Sequence, residues 1–135
     1  VKVSDYTKYY EKEMGVNLYK SYFFFDKLLA PENYHEYKLK TIDYEQKNLI
    51  ENRTEGRLVN LDPGYLTEAK LIMLSAKDFA HRIYLGKGIY GEVQLNYKVD
   101  SFEGNFWSYP DYSNEKFIEF ANEARHYLRQ LLGRK

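Results

Sequence analysis

Asn60, Asp62, Arg82 and Glu92 are the residues of this chain best able to do chemistry together. Asn60 and Asp62 stand in "VNLDPGYL" (59–66), two apart, so an extended strand puts the amide and the carboxylate on one side. Such a pair can orient a hydroxyl, a water or a cation. Arg82 and Glu92 stand in "HRIYLGKGIYGEVQL" (81–95), where two alternating runs flank Gly86-Lys87-Gly88. A three-residue loop there sets Leu85 opposite Ile89, with Gly88 left-handed. In that register Ile83 faces Gly91, Tyr84 faces Tyr90 and Arg82 faces Glu92. Buried together, the guanidinium would keep its charge and lower the carboxylate pKa. That suits a polar ligand better than a general acid. Tyr84 shares the side of Arg82, and Tyr109 and Asp111 of "WSYPDYS" (107–113) are candidates for the rim. The ordinary alternatives are a cross-strand ion pair of about 0.2–1 kcal/mol and a carboxylate that assists a helix N-terminus.

Other chemistries find less support. With no cysteine there is no disulfide, thiolate nucleophile or zinc-thiolate site. GxSxG, HExxH and GxxxxGK[ST] are absent. Gly86-Lys87-Gly88 is too short to cradle a phosphate and lacks a strand-to-helix setting. Asp62, Glu92 and Asp111 have the right oxygens for Mg²⁺, but acids at strand ends are usually solvated, so no metal is expected. The register points His81 with Ile83, Leu85, Val93 and Leu95, onto a face expected to be covered by a helix. A lone histidine in such company reads as a hydrogen-bonded core residue before a ligand.

These residues need elements to hold them. Residues 2–10 and 18–25 read as strands separated by a turn at Met14-Gly15. Pro31 opens a helix over about 32–53. "GRLVNLDPGYL" (56–66) reads as a strand running into a type II turn, with positive φ at Gly64. "AKLIMLSA", "FAHRIYL" and "IYGEVQLNYKV" read as three further strands. Ser113 is expected to cap a last helix whose stripe is Phe117, Phe120, Ala121, Ala124, Leu128 and Leu131, leaving His126 exposed.

At 135 residues one domain is expected. Equal numbers of basic and acidic residues remove the global electrostatic case for nucleic acid. No apolar run approaches the roughly 20 residues of a membrane span. A reducing, cytoplasmic setting fits the lack of cysteine. Fifteen tyrosines suit a twisted sheet, or a stacking platform.

"TKYYEKEMG" (7–15), "NLDPGY" (60–65), "HRIYL" (81–85), "GIYGEVQL" (88–95) and "WSYPDY" (107–112) together resemble the signatures of domain of unknown function 4416, a bacterial and archaeal family of small proteins. The motifs run in order over nearly the whole chain. The resemblance implies a further strand and helix ahead of Val1, and no established activity. Lys20 stands where the family pattern has Arg, and "TIDYE" (41–45) departs from a Thr-Asn beginning, so no site residues are carried onto that helix.

The expected fold is α+β: an antiparallel sheet of about six strands with two helices on one face. With the upstream elements, the first strands would form a ferredoxin-like core that a meander extends. The expected function is to bind or process a small polar ligand or nucleotide, through Asn60, Asp62, Arg82, Tyr84, Glu92, Tyr109 and Asp111. The alternative is a non-catalytic module that offers a tyrosine-rich face to RNA or a protein.

Overall fold

Alternating side chains between residues 64 and 104 build an antiparallel sheet. A computed structural model of the chain describes residues 2–7, 11–14, 18–53 and 55–135. The first strands, β1 (Lys2–Thr7) and β2 (Leu18–Phe23), pair with each other, with a short helix α1 (Glu11–Met14) between them. Residues 8–10 of the expected first strand, and Gly15 of the expected turn, lie outside the described residues. Helix α2 (His35–Glu51) follows. Then come β3 (Gly64–Leu66), β4 (Lys70–Ser75), β5 (Ile83–Gly86), β6 (Ile89–Lys98) and β7 (Ser101–Gly104). A one-turn helix α3 (Pro110–Ser113) leads into α4 (Glu115–Leu131).

The fold is α+β, with antiparallel strands throughout. Among the described residues the order is β3-β4-β6-β5, with β7 also on β6, while β1 and β2 form a sheet of their own. Among the described residues, β1 and β2 do not pair with the larger sheet. The strand β7 is one that alternation alone did not separate from β6.

Leu71, Leu95, Phe102, Phe117, Phe120 and Ala121 form one buried cluster, so α4 covers the face of the sheet that carries Leu71. Leu66, which pairs with Leu71, packs on the same cluster. The next residue along β3, Tyr65, pairs with Ile72 and so points to the opposite face. There its ring meets Tyr34, at the N-terminus of α2, with centroids 4.5 Å apart. Ile72, Leu74 and Ile89 are buried on that second face. The helices thus flank the sheet instead of sharing one face.

Two bulges decide which side chains meet. The hairpin loop has two residues, Lys87 and Gly88, both with positive φ, closed by Gly86 opposite Ile89. The pairs Ile83–Gly91 and Tyr84–Tyr90 hold nonetheless, because Leu85 is an extra residue in β5 that restores the register. In β6, Leu71 pairs with Leu95 but Ile72 pairs with Val93, so Gln94 is the extra residue. This bulge turns Leu95 to the α4 face and leaves Val93 on the other, although their spacing suggests one face. Ile83 and Leu85 are exposed, since β5 is an edge strand. His81 does not share a covered apolar face with them. It precedes β5 and stacks on Trp107, with centroids 4.5 Å apart and planes 19° apart.

The final helix is capped by Asn114, whose Oδ1 accepts a hydrogen bond from the Phe117 N–H at 2.9 Å. Ser113 ends α3 instead. Phe117, Phe120, Ala121 and Ala124 are buried as their spacing predicts, and Leu131 is exposed at the end of the helix. His126 is exposed.

Gly64 also differs from expectation. It is not in a turn and does not have positive φ; it begins β3 opposite Met73. Glycine is required there by contact. A Cβ would lie 2.5 Å from the Ile72 carbonyl oxygen and 2.5 Å from Met73 Sδ. Gly64→Ala should therefore destabilise the protein by roughly 1–3 kcal/mol in urea denaturation. Adding Met73→Ala should recover only part of this, because the carbonyl stays. An unchanged midpoint for Gly64→Ala would show that the two strands are not this close.

Candidate functional site

Among the described residues no strand pairs with the chain from residue 55 to residue 62. Two side chains of α2 bond its backbone instead. Lys38 Nζ donates to the Leu61 carbonyl at 2.9 Å, and the Leu61 N–H donates to Glu45 Oε1 at 2.5 Å. Lys38 and Glu45 are seven residues apart, two helical turns, and so share a face. Both are buried, where a charge needs a partner. Lys38 finds Asp62 Oδ1 at 3.2 Å, and Glu45 finds Arg57 at 3.4 Å.

Asn60 and Asp62 do share a side, with Asn60 Nδ2 donating to Asp62 Oδ2 at 2.8 Å. Arg57 donates to Asn60 Oδ1 at 2.7 Å and to both carboxylate oxygens of Glu13, at 2.6 and 3.0 Å. The hydrogen bond and charge of Arg57 hold the Glu13 carboxyl below its ordinary value, and Glu13 in turn holds the guanidinium above its own. Lys38, Glu45, Arg57 and Glu13 were not foreseen. Their ionic character is plain in the sequence, but Glu13 and Arg57 are 44 residues apart and meet only in the fold.

Arg82 and Glu92 lie side by side as predicted, Nε to Oε2 at 3.2 Å, with side chains only 9% and 5% exposed. The bulged Gln94 completes their surroundings. Its Nε2 donates to Glu92 Oε2 at 3.0 Å, and its Oε1 accepts from the Tyr109 N–H at 3.1 Å. Arg82 further donates to the Tyr109 hydroxyl, Ser75 Oγ and the Lys77 carbonyl. Tyr84 packs edge-on to Tyr90 and accepts the Gly88 N–H. Asp111 pairs with Lys20 of β2. The seven candidates thus fall into three groups: Asn60 with Asp62; Arg82, Tyr84, Glu92 and Tyr109 around the hairpin; and Asp111 beside β2. Asp62, Glu92 and Asp111 each pair with a different cation, and among the described residues no three acids or histidines converge to hold a metal ion.

The first group opens onto a cavity. A space of about 780 Å³ lies between β2, the N-terminal end of α2, residues 58–67 and α4, and Asn60 and Asp62 line it. Its walls are mostly apolar and aromatic, including Tyr22, Leu66, Phe117 and Phe120. Tyr34, Tyr37 and Tyr65 stand together at one end. Burial, and for Tyr34 also the neighbouring tyrosines, push the Tyr34 and Tyr65 hydroxyls above their ordinary pKa. They stay neutral at physiological pH.

The backbone of β3 also faces this cavity. The Leu74 N–H bonds the Pro63 carbonyl and the Thr67 N–H bonds the Lys70 carbonyl. Pairs 63/74, 65/72 and 67/70 are therefore the hydrogen-bonded ones of the ladder, and Gly64 and Leu66 aim their N–H and C=O groups away from β4. Both residues line the cavity, and β3 ends the sheet.

In the hairpin network Glu92 Oε2 accepts from Arg82 and Gln94, and Arg82 donates to four partners. Glu92→Ala should strand a buried Arg82 and cost about 3–5 kcal/mol of stability, and Glu92→Gln should cost less. A loss below about 1 kcal/mol for Glu92→Ala in chemical denaturation would mean that the pair is effectively solvated.

Among the described residues no helix is long and apolar enough to cross a membrane. Comparison with curated proteins and with solved structures finds no match. The model of the family described as domain of unknown function (DUF4416) matches residues 1–127, nearly the entire chain. The chain belongs to that family.

Proposed function

We propose that this protein is a binding module whose ligand occupies the cavity between β2, β3 and α4. The observation that carries the reading is the cavity itself. Its volume of about 780 Å³ is in the range of ligand sites, and its lining is apolar with a few polar groups at one end. Asn60 and Asp62 supply those groups, and the half-exposed Asp62 carboxylate retains lone pairs beyond the two bonds it accepts. The adjoining cations favour a largely uncharged ligand over a nucleotide. Lys38 is engaged by Asp62 and the Leu61 carbonyl, and Lys20 by Asp111, while Lys27 also lines the space but is exposed to solvent.

Arg82, Tyr84, Glu92 and Tyr109 support the scaffold in this reading. Arg82 bonds both Glu92 and Tyr109, the Tyr84 hydroxyl bonds the Gly88 N–H, and none of the four lines the cavity. The neutral fluorescent probe N-phenylnaphthylamine tests the proposal. It should bind at one saturable site, and Ala124→Trp, which fills the space from α4, should abolish binding while the circular dichroism spectrum is kept. Non-saturable binding, or binding unaffected by the filled cavity in a folded variant, would contradict it.

A further inference from the structure

We propose that the β3–β4 turn and the last turns of α4 form a second site, which binds a dianionic phosphate group through the guanidinium of Arg125, with Arg129 and Arg134 beside it. None of the three arginines lines the cavity, so this inference stands apart from the ligand proposed above. Three cations converge here on one residue. Arg129 and Arg134 donate to the two carboxylate oxygens of Glu68, one each, and Arg125 Nε donates to the Glu68 carbonyl at 2.7 Å. A carbonyl carries no net charge, so three guanidinium charges meet one carboxylate. The excess matches a phosphate monoester, which carries about −1.5 to −2 at pH 7.

Arg125 is held ready for such a ligand. Its guanidinium lies over the ring of Tyr97, 3.5 Å from the centroid, while its Nε is held by the Glu68 carbonyl. Both supports are fixed. Tyr97 packs edge-on to the buried Phe102, and its N–H bonds the Ala69 carbonyl. Glu68 sits in a turn where Thr67 Oγ1 accepts the Ala69 and Lys70 N–H groups. Among the described residues Nη1 and Nη2 of Arg125 have no partner. That edge is the planar fork that bonds two oxygens of a phosphate at once. Arg125 is also half-buried, and a charge withdrawn from water favours a counter-anion. Equal numbers of acidic and basic residues over the chain favour a small phosphate over a nucleic-acid backbone, which calls for an extended basic surface.

The test uses the full chain and three probes: inorganic phosphate, glycerol phosphate, and a single-stranded oligonucleotide without terminal phosphate. Binding is followed by calorimetry and by the Arg125 Nε–H signal in heteronuclear NMR. Phosphate or its ester should bind at one saturable site and move that signal. Arg125→Lys keeps the charge but loses the fork, so it should weaken binding by roughly ten-fold with the melting temperature unchanged. Glu68→Gln removes the competing carboxylate and should tighten binding. Tighter binding of the ester than of inorganic phosphate assigns the site to phosphorylated small molecules, and the reverse order assigns it to the free ion.

Absence of saturable binding by either phosphate overturns the inference. So does an Arg125→Lys variant that binds no more weakly than Lys116→Ala, which removes a charge from the exposed first turn of α4; binding would then be a matter of general charge. Tighter binding of the oligonucleotide than of both phosphates overturns the assignment to a small ligand.

Discussion

The structure turns on the way α2 holds Leu61. A chain that leaves a helix and approaches a sheet edge must satisfy its backbone polar groups before it joins the ladder. Here the N–H and the C=O of one residue are met by Glu45 and Lys38, side chains two turns apart on one helix. Each bond to a charged partner is stronger than a neutral one, and each partner is itself neutralised, by Arg57 and Asp62. The consequence is geometric. Residues 58–63 stand off from α4 as a fixed wall, β3 begins at the end of that wall, and the space between β3 and β2 stays open. Apolar walls alone would favour closing it.

The opposite side of the sheet shows a different use of buried charge. Arg82 and Glu92 are almost wholly enclosed, and Gln94 is fully buried beside them. Alternation puts Gln94 on the side of Glu92, and the bulge in β6 leaves Gln94 without a β4 partner, with its carbonyl bonded by Ser108 Oγ at 2.5 Å. Trp107 Nε1 bonds the Val93 carbonyl next to it at 2.9 Å. The segment before α3 is thereby stitched to the bulge, which fixes where α4 starts and hence how its apolar stripe meets Leu71 and Phe102. One polar cluster fixes a wall of the cavity, and the other locks a corner of the scaffold.

What could be read from the residues follows the range of the interaction. The register of Tyr84 on Tyr90 and of Arg82 beside Glu92 was legible, since a hairpin is local and period two is strict. So were the common side of Asn60 and Asp62, and the stripe of α4. The bulges at Leu85 and Gln94 were not, because an extra residue leaves no mark on an alternating pattern until the partner strand is known. Gly64 shows the same limit. Asp-Pro-Gly reads as a turn, but contact with Ile72 and Met73 decides its conformation. Lys38 and Glu45 carry no mark of burial in their own segment; their burial depends on Arg57 and Asp62 arriving from later in the chain. The cavity, bounded by segments far apart in sequence, has no local signature at all.

The claim that α2 side chains substitute for a neighbouring strand is tested most directly by native-state hydrogen exchange at the Leu61 amide. In the natural protein this amide should exchange slowly, as a bonded interior group does, and in Glu45→Ala it should exchange orders of magnitude faster while core amides such as that of Leu95 remain slow. A Leu61 amide that already exchanges at the rate of an unprotected peptide in the natural protein would contradict the account.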